Sequence, residues 1–300
     1  ANIASDTKTT LKDADIIFKI QRLMTSKDKI DEISMCKKDA MVISHMSALS
    51  SKTDIEEYAK ASITTFAMDL MPRISRAQSM DVLSSQSNLS GYQAVIKGAN
   101  NFNSAFPMMM TAAGTVAPAK VFIMGVGVAG LQAIATAKRM GAIVTAYDVR
   151  AATKEQVESL GGKFLIVDEE AMKEAETSGG YAKEMTEEYK KKEQEVIKNH
   201  IKDQDIVITT ALIPGRPAPK LVTKEMVNSM RTGSVIVDLA VETGGNCELA
   251  KRNEVVDADG VKIVGFDNLP GELPKDASTL FAKNLLNFLS PHVNKESKSL

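Results

Sequence analysis

The sequence predicts an α/β protein with two Rossmann-like domains. One is a complete doubly wound dinucleotide-binding domain, and the other is a discontinuous, apparently truncated α/β domain. Three observations predict this. Apolar runs of strand length alternate with stretches of helix length along the chain. One such run, Val121 to Met124, opens directly onto Gly125-x-Gly127-x-x-Gly130. An Ala-rich helix and a second strand follow, closing on Asp148. The length of 300 residues suits about two domains at roughly 150 each.

From the N-terminus, residues 14–19 and 40–44 read as strands, 54–61 as a helix and 62–67 as a third strand. Pro72 breaks the alternation. Residues 76–97 read as one long helix with Met80, Leu83, Leu89 and Val95 at apolar positions, and 100–107 and 114–118 as loops. Beyond Asp148, 153–160 reads as a helix, 163–167 as a strand and Ser178-Gly179-Gly180 as a loop. The Lys/Glu-rich stretch 183–202 reads as a solvated helix and 205–209 as a strand. Pro214, Pro217 and Pro219 stiffen the loop that follows. A helix (224–230), two strands (234–239 and 261–266), an amphipathic helix (280–289) and a polar tail from His292 complete the chain. The expected division is residues 1–85 with 273–300 as the first domain and 86–272 as the dinucleotide-binding domain. Only three strands precede Pro72 and no initiator Met is present. The expectation is therefore a first domain short of strands, with an open sheet edge.

Composition narrows the function classes. A hydrophobic content of 44% with 25% charged residues is ordinary for a globular chain. A net charge of −1, with no basic arm, gives no electrostatic footprint for nucleic acid. No apolar run reaches the ~18 residues of a membrane span. Cys36 and Cys247 are the only cysteines and lack CxxC spacing, so neither a metal site nor a disulfide framework is expected. Reduced thiols fit a cytosol-like compartment, and the N-terminus has no signal-peptide pattern.

The glycines divide the work of holding a pyrophosphate. Gly125 permits the tight turn, Gly127 lets the backbone approach the phosphates, and Gly130 lets helix and strand pack closely. The helix N-terminus offers unpaired N–H groups and a partial positive charge. Asp148 stands eighteen residues after Gly130, near the spacing of about 20 at which an acid meets the adenosine ribose. Its carboxylate repels a 2′-phosphate, which favours NAD over NADP. Arg150 pulls the other way, since an arginine can hold that phosphate.

Several longer segments are distinctive. They are Arg73-Ile-Ser-Arg-Ala-Gln-Ser-Met-Asp-Val-Leu-Ser-Ser-Gln-Ser-Asn-Leu-Ser-Gly-Tyr92, Phe106-Pro-Met-Met-Met-Thr-Ala-Ala-Gly-Thr115, and the stretches 175–185, 209–219 and 238–246. With the Gly-rich turn they make the chain resemble, over essentially its whole length, the NAD(H)-binding alpha subunits of proton-translocating NAD(P) transhydrogenases. The resemblance implies hydride transfer from NADH held here to NADP on a separate component, coupled to proton movement through a membrane component. It implies no covalent intermediate, a homodimer, and an isolated chain inactive without its partners. The implied location is cytoplasmic, peripheral to the inner membrane through partner subunits, or the matrix side in a mitochondrion. Gln78, Arg73 and Asp81 would be the catalytic group, with Ser79, Met80 and Ser84 beside the nicotinamide. Asp148 would meet the adenosine ribose with Val149 and Arg150 adjoining, Val128 would lie in the Gly-rich turn, and Leu212 would line the adenine or nicotinamide side. Gly180 and Tyr181 would form a loop closing over the nucleotide. Read from its residues alone, that loop is an exposed tip.

Alanine dehydrogenases share some of the likeness. Around Asp15–Arg22 they carry a substrate lysine where this chain has Gln21, and their acid/base histidine aligns with His45. A lone histidine at a strand end is usually structural, and here it lacks the lysine. A third reading is an NAD-binding module that does no chemistry by itself.

Overall fold

The computed structural model describes residues 2–173, 186–213, 215–294 and 296. In chain order the elements begin with α1 (Thr7–Leu11), β1 (Ile16–Gln21), β2 (Met41–His45), α2 (Lys52–Lys60), β3 (Thr64–Ala67) and α3 (Val82–Asn101). Next come β4 (Met109–Thr111), β5 (Gly114–Val116), β6 (Lys120–Met124), α4 (Val128–Arg139), β7 (Ile143–Tyr147), α5 (Thr153–Ser159), β8 (Lys163–Phe164) and α6 (Glu169–Lys173). The last are α7 (Glu187–Ile201), β9 (Ile206–Thr209), α8 (Lys224–Asn228), β10 (Val235–Asp238), β11 (Val255–Ala258), β12 (Val261–Val264) and α9 (Pro274–Leu289). The chain forms two compact units, Ala1–Gln86 with Lys275–Leu300 and Ser87–Pro274.

The larger unit contains a seven-stranded sheet in the order β11-β12-β10-β9-β6-β7-β8. All pairs are parallel except β11 with β12. Its six parallel strands follow the order of a doubly wound dinucleotide fold, with β6 as the first strand at the centre. The strand sequences explain the two covered faces. Successive side chains point to opposite sides. Val121 and Ile123 join Ala94, Val95, Ala133 and Ile134 of α3 and α4 in one core. Phe122 and Met124 join Tyr189, Ile197, Ile201 and Met226 of α7 and α8 in the other. Runs buried on both faces need apolar residues throughout, which is why β6, β9 and β10 read as unbroken apolar stretches.

The smaller unit contains a three-stranded parallel sheet, β1-β2-β3. Val42 packs with Ile17, Leu23 and Tyr58 on one side. Ile43 packs with Met68, Phe281 and Leu285 on the other. The edge strand β1 exposes Phe18 and Ile20.

The structure differs from the sequence reading in several places, including the unanticipated helix α1 and α9, which begins at Pro274 rather than residue 280. The helix expected from residue 76 begins only at Val82, after a 3-10 segment Ser75–Met80. Asp81 stops propagation by capping: Ser84 N–H donates to its Oδ1 (2.9 Å) and Ser84 Oγ to its Oδ2 (2.5 Å). Some of the region read as loop forms the β4–β5 hairpin, too short and exposed to show a period. Strand β11, an antiparallel edge, was not anticipated, nor was the short helix α6. Strand β8 has two residues rather than the expected five. Among the described residues, no helix is long and apolar enough to cross a membrane. No cluster among them could hold a metal ion.

Candidate functional site

Three neighbouring strands of the larger unit end level with one another. Met124 of β6 pairs with Tyr147 of β7 and with Thr209 of β9. The residues that follow, Gly125, Asp148 and Thr210, therefore share one carboxyl edge. The strand order reverses there, between β6 and β9, the position at which doubly wound sheets take ligands.

The turn is shaped by what its glycines lack. Gly125 has φ +100°, and a Cβ on it would lie 2.6 Å from Thr210 Oγ1. A Cβ on Gly130 would come within 1.9 Å of the Gly125 carbonyl oxygen, so any side chain there drives α4 off β6. Gly127 is the opposite case, with nothing within 4 Å of its Cβ position. It is the N-cap of α4, just before Val128, and has no side chain to satisfy the first helical amides. Open space above uncapped N–H groups fits a pyrophosphate. The turn is braced below. Gly125 N–H donates to the Tyr147 carbonyl (2.8 Å), Thr210 N–H to that of Met124 (2.8 Å), and Thr210 Oγ1 to that of Gly125 (3.0 Å).

Asp148 is buried and ties turn to strand end. Its Oδ2 accepts the Val126 N–H (2.8 Å). Arg150 engages both oxygens, Nε to Oδ1 (2.8 Å) and Nη2 to Oδ2 (2.7 Å), and its backbone N–H also reaches Oδ1 (3.0 Å). The guanidinium is therefore the counter-ion of Asp148, and Nη2 also contacts the Val126 carbonyl (3.3 Å). Val149, between them, packs against the second core. Below Asp148 lies a second polar group. Tyr147 donates to Glu193 Oε1 (2.5 Å), with Tyr189 Oη 3.1 Å away. Burial, reinforced by the Glu193 charge, holds the Tyr147 phenol far above its usual range. Burial pushes Tyr189 up to about 12. It also raises Glu193, outweighing the bond from Tyr147.

Leu212 lies in the segment leaving β9 and is exposed, as is Ile213. The foot of this segment is held by Asn246, fully buried on the loop after β10. Asn246 Oδ1 accepts the Ala211 N–H (3.0 Å), and its Nδ2 donates to the carbonyls of Ala211 (2.9 Å) and Pro219 (2.8 Å). Val126, Thr210 and Asn246 were not among the residues singled out from sequence. Their only signal there was membership of the distinctive segments 209–219 and 238–246 and of the Gly-rich turn.

The smaller unit carries the segment Arg73–Ser84. Arg73, Gln78 and Ser79 are exposed, and Met80, Asp81 and Ser84 are half-buried. Buried Ala77 and Val82 flank the stretch Gln78–Asp81. The Ser79 carbonyl accepts a bond from Asn284 and one from Asn287 of α9, both 2.9 Å. Gln21 and His45 are register partners on β1 and β2. His45 Nδ1 lies 3.3 Å from Ser47 Oγ. Gly180 and Tyr181 lie outside the described residues.

Two family models match the chain. The alanine dehydrogenase/PNT N-terminal domain covers residues 1–90, and the C-terminal domain of the same name covers 94–300. A curated relative, an NAD(P) transhydrogenase subunit alpha of Rhodospirillum rubrum, is 62% identical over 300 residues, 100% of this chain and 78% of that one. The crystal structure of transhydrogenase from Sinorhizobium meliloti superimposes with a TM-score of 0.81 at 52% identity, covering 94% of this chain and 75% of the other. An L-alanine dehydrogenase structure shares the fold at a TM-score of 0.77 and 22% identity, over 99% and 75% of the two chains.

Proposed function

We propose that this chain, which belongs to the alanine dehydrogenase/PNT family and within it to the NAD(P) transhydrogenase alpha subunits, holds NADH for direct hydride transfer to NADP on a separate component. The observation that carries the NAD(H) assignment is the Asp148 carboxylate, buried at the carboxyl edge beside an uncapped helix N-terminus. Gly127 and the first amides of α4 meet the pyrophosphate. Asp148 accepts the ribose hydroxyls, which compete with Arg150 for its two oxygens. A 2′-phosphate would bring like charge against the same carboxylate. This supports NADH over NADPH.

NADH, when bound, supplies the hydride. Gln78, Arg73 and Asp81, with Ser79, Met80 and Ser84, orient the nicotinamide, and Leu212 gives apolar contact. Well-oriented reactants gain about 7–11 kcal/mol over free encounter, so orientation without a covalent intermediate suffices as the chain's contribution. Transfer is coupled to proton translocation in a membrane component, to which this chain is peripheral, and the working form is a homodimer. The amino-acid dehydrogenase reading is weaker. The partner of His45 in the sheet is Gln21, and an amide cannot supply the cation that a substrate carboxylate needs.

Reconstitution tests the proposal. The chain mixed with an NADP-binding transhydrogenase component is expected to oxidise NADH only when NADP is present. It is expected to show no NADH oxidation with pyruvate and ammonium and no NAD reduction with alanine. Turnover on either amino-acid dehydrogenase substrate without the partner would reverse the choice.

A further inference from the structure

We infer that Asn246 is a positioning residue of the dinucleotide site, setting nucleotide affinity through the segment that leaves β9. The inference rests on the reading that the larger unit binds the dinucleotide. Asn246 has 0% exposure, and both functions of its side-chain amide are spent on protein. Oδ1 receives Ala211 N–H, and Nδ2 donates to Ala211 and Pro219 carbonyls. It therefore acts through Ala211 and Pro219, without touching a ligand.

What it holds is well placed. Ala211 follows Thr210, whose N–H and Oγ1 bind the carbonyls of Met124 and Gly125. A continuous series of bonds thus runs from the loop after β10, through Ala211 and Thr210, to the Gly-rich turn. Directly beyond Ala211 stand Leu212 and Ile213, 52% and 43% exposed at the carboxyl edge. Two adjacent large apolar side chains at the switch point suit the flat faces of a nucleotide's rings.

The far side of Asn246 is fixed as firmly. Its own carbonyl accepts Leu221 N–H (2.8 Å) and Val222 N–H (3.0 Å). The next amide, Cys247 N–H, donates to buried Asp238 (2.8 Å), whose other oxygen accepts Ala240 N–H (2.8 Å). The clamp is therefore rigid where it begins and ends on the one segment that presents Leu212. Truncation to Ala leaves one N–H and two carbonyls without their side-chain partner. The segment then has reason to move, and Leu212 moves with it.

The test is a titration of the full chain with NADH by nucleotide fluorescence, below the unfolding temperature, on variants whose fold is checked by circular dichroism. Wild type is expected to bind. Asn246→Ala is expected to bind at least about tenfold more weakly, as is Leu212→Ala. The double variant is expected to lose no more than the worse single one, because both changes act on the same contact. A purely structural role would lower the melting temperature and leave the affinity of folded protein unchanged, and that result overturns the inference. So do losses that simply add. If Asn246→Ala does not fold, Asn246→Asp decides by the same comparison, since it keeps the acceptor for Ala211 N–H and removes both donated bonds. Wild type that binds no dinucleotide overturns the underlying reading as well, whereas binding by wild type and Asn246→Ala alike overturns the inference alone.

Discussion

The turn at Gly125–Gly130 presents backbone, and the segment Arg73–Ser84 presents side chains. In the turn, shape is everything: one glycine would collide with Thr210, another with a carbonyl, and the third leaves open space. Its neighbours Asp148, Val126 and Thr210 are bonded into it. In the other segment Gln78 and Arg73 stand exposed, while the bonds that fix it, at Ser79 and Asp81, lie in the backbone and the helix cap. A backbone site is broken by adding atoms, and a side-chain site by removing them. The first kind of damage should appear in stability, the second in rate.

The largest expected effect follows from that contrast. Gly130→Ala places a methyl group 1.9 Å from the Gly125 carbonyl oxygen and should cost about 3 kcal/mol or more, with loss of NADH binding. Chemical denaturation checks it, and an unchanged midpoint would refute the packing argument. Gln78→Ala adds nothing and leaves the fold intact. In the reconstituted assay it should slow transfer about 100-fold while NADH affinity stays within about threefold. Equal losses would reduce Gln78 to a binding group and blur the distinction between the two regions.

Smaller effects sharpen the comparison. Asp148→Asn should narrow the preference for NADH over NADPH by about tenfold in parallel titrations. A wild type that binds NADPH more tightly would contradict the role given to Asp148. Asp81→Ala removes the cap of α3 and should cost about 1 kcal/mol, read from thermal unfolding.

The smallest effect is a pH trend from Glu193, whose folded value lies above the ordinary 4.5 because of burial. A raised acid binds its proton more tightly in the folded state. Its contribution to stability is full below 4.5 and is lost as pH rises through the folded value. Glu193→Gln cannot ionise, so its melting temperature should gain on wild type as pH rises above 4.5. A constant difference would mean that Glu193 is not buried with Tyr147 as described.

Much of the larger unit was legible because its signals are local. Apolar runs gave β6, β9 and β10, and the Gly125–Gly130 spacing gave the turn. What stayed hidden depends on register between distant strands. Thr210 braces Gly125 only because β6 and β9 are neighbours, and Asn246 reaches Ala211 only because the loops after β9 and β10 meet. The start of α3 was hidden for a different reason. Helical periodicity runs through residues 76–81, but the Asp81 cap overrides it. Gln78 and its neighbours have no periodicity of their own, so only the resemblance singled them out.

Whether hydride passes directly between the two nucleotides is read from isotope transfer. The chain, an NADP-binding component, NADP, and NADH carrying two deuterons at the nicotinamide C4 are mixed, and the products are analysed by mass spectrometry. Deuterium is expected in NADPH and none in water, with no transfer when this chain is left out. Deuterium appearing in the solvent, or NADPH formed without label, would contradict direct transfer.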